Sequence, residues 1–161
     1  IYYGVDPDYD TTAIAILDDI LNTLTLHVVE TDGLEPTIKA VSEFSWGEGI
    51  LCVESQEIYP DSPVNPTDLM KLREITGAVK GSWYATMRQN ETVLCTLPKT
   101  WKGTIPKAKK TSLIQKDLEK RVLEGLRVIN PHLLATTKLK SHVLDSVGLV
   151  FWGRDRTLLL R

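Results

Sequence analysis

The first half of the chain carries apolar runs of the length and composition typical of β-strands. Residues 1–6 are largely apolar and end in an acid, and residues 12–18 form a second run after a polar turn. Two such runs joined by a short turn predict an antiparallel hairpin. Residues 22–30 alternate at first and are rich in Thr, Val and Leu, which predicts a third strand.

Two more apolar runs complete a predicted set of five strands. Residues 50–54 are apolar up to Glu54 and follow two glycines, which favours a central strand covered on both faces. Residues 92–97 predict the fifth strand. The first and fourth strands therefore each end in a carboxylate, Asp6 and Glu54, held by a rigid scaffold within reach of solvent or a metal.

Apolar residues three or four positions apart predict helices between and after these strands. The predicted helices cover residues 36–44, 67–85, 111–125 and 141–152. Thr67 and Ser141 are suitable N-caps for two of them. Prolines and polar residues predict loops at 55–65 and 98–110. With 161 residues the chain is long enough for one domain with a real core, spanning residues 1–161.

Charge is distributed unevenly along the chain, which changes the functional picture. Residues 98–140 carry 11 Lys and Arg against 3 Asp and Glu, a net charge of +8, whereas the remainder carries −10. A basic block beside clustered carboxylates indicates metal-dependent chemistry on a polyanion. The alternative interpretation is a basic helix face that only meets solvent.

The composition also argues against several classes of protein. No apolar run reaches the ~20 residues that a membrane span requires, and no basic N-terminal segment precedes a long apolar stretch as in a signal peptide. We therefore expect a cytoplasmic protein with no membrane partner. Cys52 and Cys95 lie in strand-like runs without zinc-ligand spacing, so we expect two reduced core cysteines.

Four residues form a candidate metal site, namely Asp6, Glu54, His142 and Asp145. His142 and Asp145 are three positions apart, so they project from one side of the first turn of the last predicted helix. Mg²⁺ prefers carboxylate oxygens, and clustered carboxylates repel one another unless a cation neutralises them. Two metal ions at such a site would activate a water and stabilise the leaving oxygen of a phosphodiester. Taken singly, these residues have simpler roles, as a turn former at Asp6 and as groups that complement a helix N-terminus.

Short motifs along most of the chain resemble those of a known family. The residues that carry the resemblance are Gly4-Val5-Asp6-Pro7 with Thr12, Val53-Glu54, Leu69-Met70-Lys71-Leu72 leading to Gly77, the run 98–110, and His142-x-x-Asp145. In this order they resemble the RuvC family of Holliday-junction resolvases, including its phage-type members. The resemblance implies an α/β, ribonuclease H-like fold, with a five-stranded mixed sheet and helices on both faces. It also implies a role in DNA recombination and repair in the bacterial cytoplasm, or in the host cytoplasm for a phage-encoded protein.

The resemblance implies roles for individual residues. The metal-binding and catalytic positions fall on Asp6, Glu54, His142 and Asp145, with two Mg²⁺ ions, or Mn²⁺, per active site. Lys110 falls near the scissile phosphate as a further catalytic residue, where a fixed cation stabilises developing charge, and Lys102 is a candidate for similar work. The expected DNA-binding residues are Lys99, Trp101, Lys102, Lys107 and Lys109. For Trp101, stacking on a base or sugar and packing inside the protein are both open.

The chain departs from the family pattern at two places. Asp8 stands where the family has a glycine, Ala13 stands where a glycine is common, and Asp10 adds charge nearby. The family also places an aromatic residue soon after the acid of the fourth strand to open the junction, and Tyr59 is the nearest candidate here. The roles of these residues stay open at the level of the sequence.

Together these observations predict a Mg²⁺-dependent endonuclease that resolves four-way DNA as a two-fold homodimer, with residues 67–85 as the expected interface. One alternative keeps the fold and changes the substrate to flaps, forks or RNA–DNA hybrids. A second is a junction-binding protein without cleavage. A third is an actin-like phosphotransferase, which also opens with an acid on a first hairpin. Against it, the chain is too short for a duplicated domain and has no glycine-rich phosphate loop.

Overall fold

The chain builds one mixed β-sheet with helices on both of its faces. The computed structural model describes residues 1–56, 65–86, 92–135 and 139–159. The strands in these ranges are β1 (Tyr2–Asp6), β2 (Thr11–Asp18), β3 (Thr23–Glu30), β4 (Ile50–Glu54), β5 (Val93–Thr96) and β6 (Arg127–Ile129). The helices are α1 (Leu34–Ser42), α2 (Pro66–Thr86), α3 (Pro98–Lys102), α4 (Lys107–Leu123) and α5 (Lys140–Leu158), with a short 3₁₀ helix at Pro131–Leu134.

The order of strands across the sheet is β5-β4-β1-β2-β3-β6. Strands β1, β2 and β3 form an antiparallel meander, whereas β4 pairs with β1, β5 with β4, and β6 with β3 in parallel. The pairing of β1 with β4 sets Val5 opposite Val53, so both strands end at the same edge of the sheet. Asp6 and Glu54 are therefore neighbours at that edge.

Side chains alternate across β1 and divide the core into two layers. Tyr3 and Val5 belong to the buried cluster beneath α1 and α2. The two-residue period of a strand turns Gly4 and Asp6 to the opposite face. There α4 and α5 cover the sheet with a second buried cluster. By the same alternation in β4, Glu54 also faces α5.

The predicted α/β class, with a mixed sheet and helices on both faces, is confirmed. The described residues form six strands rather than the expected five, because β6 joins the sheet beside β3. This strand pairs only Arg127, Val128 and Ile129 with its neighbour. A strand of that length has too few positions to show an alternating pattern in the sequence.

The prediction of a loop over residues 98–110 is wrong in part. Helix α3 begins at Pro98, and α4 begins at Lys107 directly after Pro106. Proline suits the start of a helix, because the first N–H groups of a helix have no partner within it. These prolines therefore mark helix starts, and the basic segment is more ordered than its composition indicates.

Both predicted N-caps are wrong. Asn65 caps α2, since its Oδ1 accepts a hydrogen bond of 2.9 Å from the backbone N–H of Thr67. Helix α5 begins at Lys140 with Leu139 in the capping position, so Ser141 lies inside the helix as its second residue. Ends of helices are among the least certain features of a sequence pattern, because tertiary packing extends or shortens the final turn.

The prediction of two reduced core cysteines has a different outcome at each of the two positions. Cys52 is buried, but Cys95 is exposed, so the prediction of two core cysteines is wrong for the second one. Cys95 lies on β5, which is an edge strand of the sheet. Among the described residues, the helices include none that is long and apolar enough to cross a membrane.

The close approach of α5 to β1 yields a testable prediction at Gly4. An added Cβ at this position would overlap the carbonyl oxygen of Ser146 and lie 2.7 Å from the backbone nitrogen of Val150. We expect Gly4→Ala to lower the free energy of unfolding by about 3 kcal/mol, because backbone atoms cannot give way as a side chain can. Urea unfolding followed by circular dichroism measures the change.

Gly77→Ala is the matched control for this substitution. No atom lies within 4 Å of a Cβ added at Gly77, which is exposed on α2. Since alanine favours a helix over glycine by about 1 kcal/mol, this variant should be as stable as the parent or slightly more so. A Gly4→Ala protein as stable as the parent would contradict the proposed packing.

Candidate active site

Three buried carboxylates meet at the edge of the sheet where β1 and β4 end. The exposed fraction is 8% for Asp6, 4% for Glu54 and 4% for Asp145. The first two end neighbouring parallel strands, and Asp145 lies in the second turn of α5, beneath that edge. Burying a carboxylate without a partner is expensive, so each of them needs a cation or hydrogen-bond donors.

His142 is the partner of Asp6. The imidazole Nδ1 lies 2.9 Å from Asp6 Oδ2, and Nε2 lies 3.7 Å from Asp8 Oδ2. His142 reaches these acids from the first turn of α5, while Asp145 lies three residues further along the same helix. The imidazole therefore lies between two carboxylates of the β1–β2 hairpin.

Lys102 is the shared partner of Glu54 and Asp145. Its Nζ lies 2.9 Å from Glu54 Oε2 and 3.1 Å from Asp145 Oδ2. Lys102 is the last residue of α3, which follows directly after β5 at the same edge of the sheet. One ammonium group therefore neutralises two acids that come from different elements of the fold.

Two neutral donors fix the orientation of Glu54. Trp101 Nε1 donates a hydrogen bond of 2.8 Å to Oε2, and Gln56 Nε2 donates one of 3.1 Å to Oε1. The indole is only 5% exposed and belongs to the core cluster under α4 and α5. Of the two roles left open for Trp101, the structure supports internal packing, with an added role in holding the carboxylate.

Burial and the charges of neighbouring groups together shift the pKa values in the site. Burial raises the pKa of Asp6 to about 6, and the charges of Glu54 and Asp145 add to the rise against the opposing effects of His142 and Lys102. The hydrogen bond to Asp6 raises the pKa of His142 above its usual value. Burial alone would lower the pKa of Lys102, but the carboxylates around it outweigh burial and raise it. The carboxylates of the site therefore favour the protonated, positively charged forms of His142 and Lys102.

The other predicted basic residues lie further from the acids. Lys110 Nζ donates a hydrogen bond of 3.3 Å to the backbone oxygen of Trp101 and lies 5.5 Å from the centre of its indole ring. Lys99, Lys107 and Lys109 are exposed on α3 and on the first turn of α4. The cation in direct contact with the acids is thus Lys102, and Lys110 borders the residue that holds Glu54.

The donor set suits a hard divalent cation, because it offers three carboxylates and an imidazole. In the part of the chain that the structure describes, no three His, Cys, Asp or Glu side chains are positioned to hold an ion together. In this arrangement the Lys102 ammonium lies between Glu54 and Asp145, and His142 is turned to Asp6. The residues fit a divalent cation in their chemistry, and an ammonium takes the bridging position.

The residues that depart from the family pattern include Asp8 and Asp10 in the turn after β1, and Tyr59. Asp8 accepts a hydrogen bond of 2.7 Å from the backbone N–H of Tyr9 and reaches the site only through His142. Asp10 accepts a hydrogen bond at its backbone oxygen from the backbone N–H of Thr31, which joins the hairpin turn to the residue that follows β3. Tyr59 lies outside the described residues.

Sequence reasoning missed the roles of Gln56 and Trp101 and the central place of Lys102. Gln56 lies two residues after Glu54, where a flexible amide can fold back onto the carboxylate. Trp101 and Lys102 are consecutive, and a tryptophan beside a lysine in a basic stretch also suits DNA contacts. Only the position of α3, which brings the Trp101 indole to Glu54 on β4, distinguishes a role inside the protein from a contact with DNA.

Comparison with solved structures identifies the fold. The chain is similar to T. thermophilus RuvC in complex with a Holliday junction substrate, with a TM-score of 0.60, 14% identity and coverage of 98% of this chain and 94% of that one. It is similar to the fowlpox virus resolvase in complex with Holliday junction DNA, with a TM-score of 0.61, 18% identity and coverage of 98% and 99%. The yeast mitochondrial Holliday junction resolvase Ydc2 matches with a TM-score of 0.53, 12% identity and coverage of 98% and 82%.

No protein-family model matches the chain, and neither does any curated protein sequence. The structural matches nevertheless agree with one another and cover nearly the whole chain. The protein therefore has the ribonuclease H-like fold of RuvC-type Holliday-junction resolvases, and the resemblance seen in the sequence is confirmed at the level of the fold.

Replacement of Trp101 tests its contact with Glu54. We expect Trp101→Phe to lower the free energy of unfolding by about 2 kcal/mol beyond the loss of ring volume, because a buried carboxylate loses a hydrogen-bond donor. The measurement is urea unfolding at neutral pH with a chelator present, which keeps any metal from compensating for the lost bond.

Trp83→Phe is the control, because it removes the same atoms from the other core layer. The Trp83 side chain is fully buried, and its indole nitrogen has no hydrogen-bond partner among the described residues. It should therefore be the less costly substitution of the two. If Trp83→Phe destabilised the protein as much as Trp101→Phe, the hydrogen bond from Trp101 to Glu54 would make no measurable contribution to the free energy of unfolding.

The raised pKa of Asp6 predicts how the stability of the protein depends on pH. This pKa is raised from 3.8 to about 6 in the folded protein, so folding is favoured while Asp6 is protonated. This contribution is present below pH ~4 and is lost as the pH rises through ~6. Between these values the parent should lose on the order of 2–3 kcal/mol of unfolding free energy relative to Asp6→Asn, which does not titrate.

The measurement is urea unfolding of both proteins at several pH values with a chelator present. Asp32→Asn, which changes an exposed aspartate, should follow the parent at every pH. If the parent gained stability relative to Asp6→Asn over this window, the cationic partners of Asp6 would outweigh its burial, and the sign of the argument would be wrong.

Proposed function

We propose that the protein is a metal-dependent endonuclease that resolves Holliday junctions by paired phosphodiester cuts in four-way DNA. The observation that carries this proposal is the convergence of Asp6, Glu54 and Asp145 in one buried cluster. The fold adds support, because T. thermophilus RuvC and the fowlpox virus resolvase share it and are described in complex with Holliday junctions.

The proposed cofactor is a pair of Mg²⁺ ions, with Mn²⁺ as a substitute. The residues that would hold them are Asp6, Glu54, His142 and Asp145. When bound, the ions supply positive charge to the attacking and leaving oxygens of the phosphodiester. The protein's part is to keep the carboxylate oxygens directed at the edge of the sheet, and the donors Trp101 and Gln56 do this for Glu54.

Two lysines would contribute positive charge beside the acids. The Lys102 side chain is 23% exposed, so its ammonium can meet a phosphate that enters the site. Lys110 donates a hydrogen bond to the backbone oxygen of Trp101, the residue whose indole contacts Glu54. Positive charge held in place before the reaction stabilises the charge that develops on phosphate oxygens in the transition state.

The exposed lysines of α3 and α4 form the proposed DNA-binding surface. Lys99, Lys107 and Lys109 extend the positive charge outward from the site. Such side chains contact phosphates irrespective of base sequence, which makes binding sensitive to salt. This suits a substrate that is defined by its branched shape more than by its sequence.

Paired cuts require two active sites, and a two-fold homodimer supplies them. Met70, Gly77 and Tyr84 are exposed on α2 at intervals of seven residues, which places them on one face of the helix. Met70 is 58% exposed and Tyr84 is 59% exposed, which is high for large apolar side chains. This stripe supports α2 as the proposed dimer interface.

Replacing the acids tests the assignment of the site. Asp6→Asn and Asp145→Asn should each lower the rate of junction cleavage by more than about a hundredfold, because each removes a carboxylate that the proposed ions require. The measurement is cutting of a labelled synthetic four-way junction while Mg²⁺ or Mn²⁺ is titrated. Asp155→Asn removes the same charge from the far end of α5 and should cut like the parent.

Substrates other than the junction separate the alternatives. Faster cutting of flaps, forks or RNA–DNA hybrids would indicate a related nuclease with the same fold. Tight junction binding without cleavage in either metal would indicate a binding protein, and hydrolysis of ATP would favour a phosphotransferase. Undiminished cutting by Asp6→Asn and Asp145→Asn would show that the chemistry takes place elsewhere.

A further inference from the structure

The Lys102 ammonium contacts both Glu54 and Asp145, two of the carboxylates that would hold the proposed metal. Its Nζ is 2.9 Å from Glu54 Oε2 and 3.1 Å from Asp145 Oδ2. A divalent ion bound to either of these oxygens, at about 2.1 Å, would lie no more than about 5 Å from Nζ. Like charges at that separation repel strongly in a partly buried site, so the ammonium and the ion oppose each other's binding.

We propose that Lys102 is an exchangeable counterion that competes with divalent metal for Glu54 and Asp145. The ammonium neutralises both carboxylates until metal binds, and it then withdraws from them. This inference rests on the proposed metal-dependent function, because it assigns the same carboxylates to the metal.

The position of Lys102 allows the ammonium to leave without a change in the backbone. Lys102 is the last residue of α3, and the exposed Gly103 follows it. Its side chain is 23% exposed, and a lysine stem is flexible along four carbons. The ammonium can therefore turn toward solvent or a phosphate while α3 stays in place.

Glu54 keeps its orientation when the ammonium leaves. Trp101 Nε1 donates to Oε2 at 2.8 Å and Gln56 Nε2 donates to Oε1 at 3.1 Å. These donors carry no net charge, so they orient the carboxylate without repelling a metal ion. Helix α3 thus brings a fixed neutral donor and a movable cation to the same carboxylate oxygen.

The test is metal binding by the full chain without DNA. We expect Lys102→Met to bind Mn²⁺ roughly tenfold more tightly than the parent or better, because the competing charge is gone. Titration with Mn²⁺, with free ion measured by electron paramagnetic resonance, gives both affinities. Lys99→Met removes the same charge from an exposed position on the same helix and should change the affinity less than about twofold. Equal or weaker binding by Lys102→Met, or no binding by any variant, would overturn the exchange.

A second measurement uses the parent alone and stands even if Lys102→Met does not fold. The rate at which acetic anhydride acetylates each lysine is followed by mass spectrometry with and without Mg²⁺. The exchange predicts faster modification of Lys102 when Mg²⁺ is present and an unchanged rate at Lys99. A Lys102 rate that stayed the same or fell would contradict the proposal.

Neither measurement involves DNA cleavage, so the two proposals can fail separately. A protein that shows the exchange and cuts no branched DNA would remove the proposed function and leave the exchange intact. A protein that cuts junctions while Lys102→Met binds Mn²⁺ no more tightly than the parent would keep the function and remove the exchange.

Discussion

Repulsion among Asp6, Glu54 and Asp145 is the constraint on which the rest of the site depends. Three carboxylates with little access to water destabilise the fold unless neighbouring groups compensate their charge. Helix α5 supplies His142 for this purpose, and α3 supplies Lys102. The compensation is incomplete, because burial still raises the pKa of Asp6 to about 6. A site in this condition gains stability from any further positive charge, which is the property that a metal-dependent active site requires.

The partners of these acids reach them only because the sheet allows α5 to come close. Gly4 of β1 leaves room for the backbone of α5, and a Cβ on Gly153 of α5 would overlap the sulfur of Cys52 on β4. Small side chains thus precede Asp6 and Glu54 by two residues on the same face of their strands. The close packing of α5 against β1 and β4 therefore both stabilises the fold and places the acids, and a larger residue at Gly4 would disturb both.

The sequence predicts most of the fold because the strands and helices that form the two core layers follow their periods closely. Asp6 and Glu54 are predictable as residues at the ends of strands, and His142 with Asp145 as a pair three residues apart on one side of a helix. Lys102 is different, because five lysines between residues 98 and 110 look alike in the sequence. Which of them reaches the acids depends on where α3 begins and ends beside β5. Strand β6 was missed for a related reason, since three residues paired to β3 have no local signature of their own.

The consecutive positions of Trp101 and Lys102 also limit how the basic segment could take part in the proposed DNA binding. The indole ring lies under the lysine, with Nζ 4.8 Å from the ring centre, while its N–H is bonded to Glu54. A ring in this position cannot stack on a base without releasing the carboxylate and exposing the core beneath α4 and α5. In the proposed function, contacts with DNA therefore fall to the exposed lysines of α3 and α4, which would bind phosphates without reading bases. On that proposal, a preference for a branched substrate would arise from the spacing of charges and active sites in the proposed dimer, since buried Trp101 is committed to Glu54.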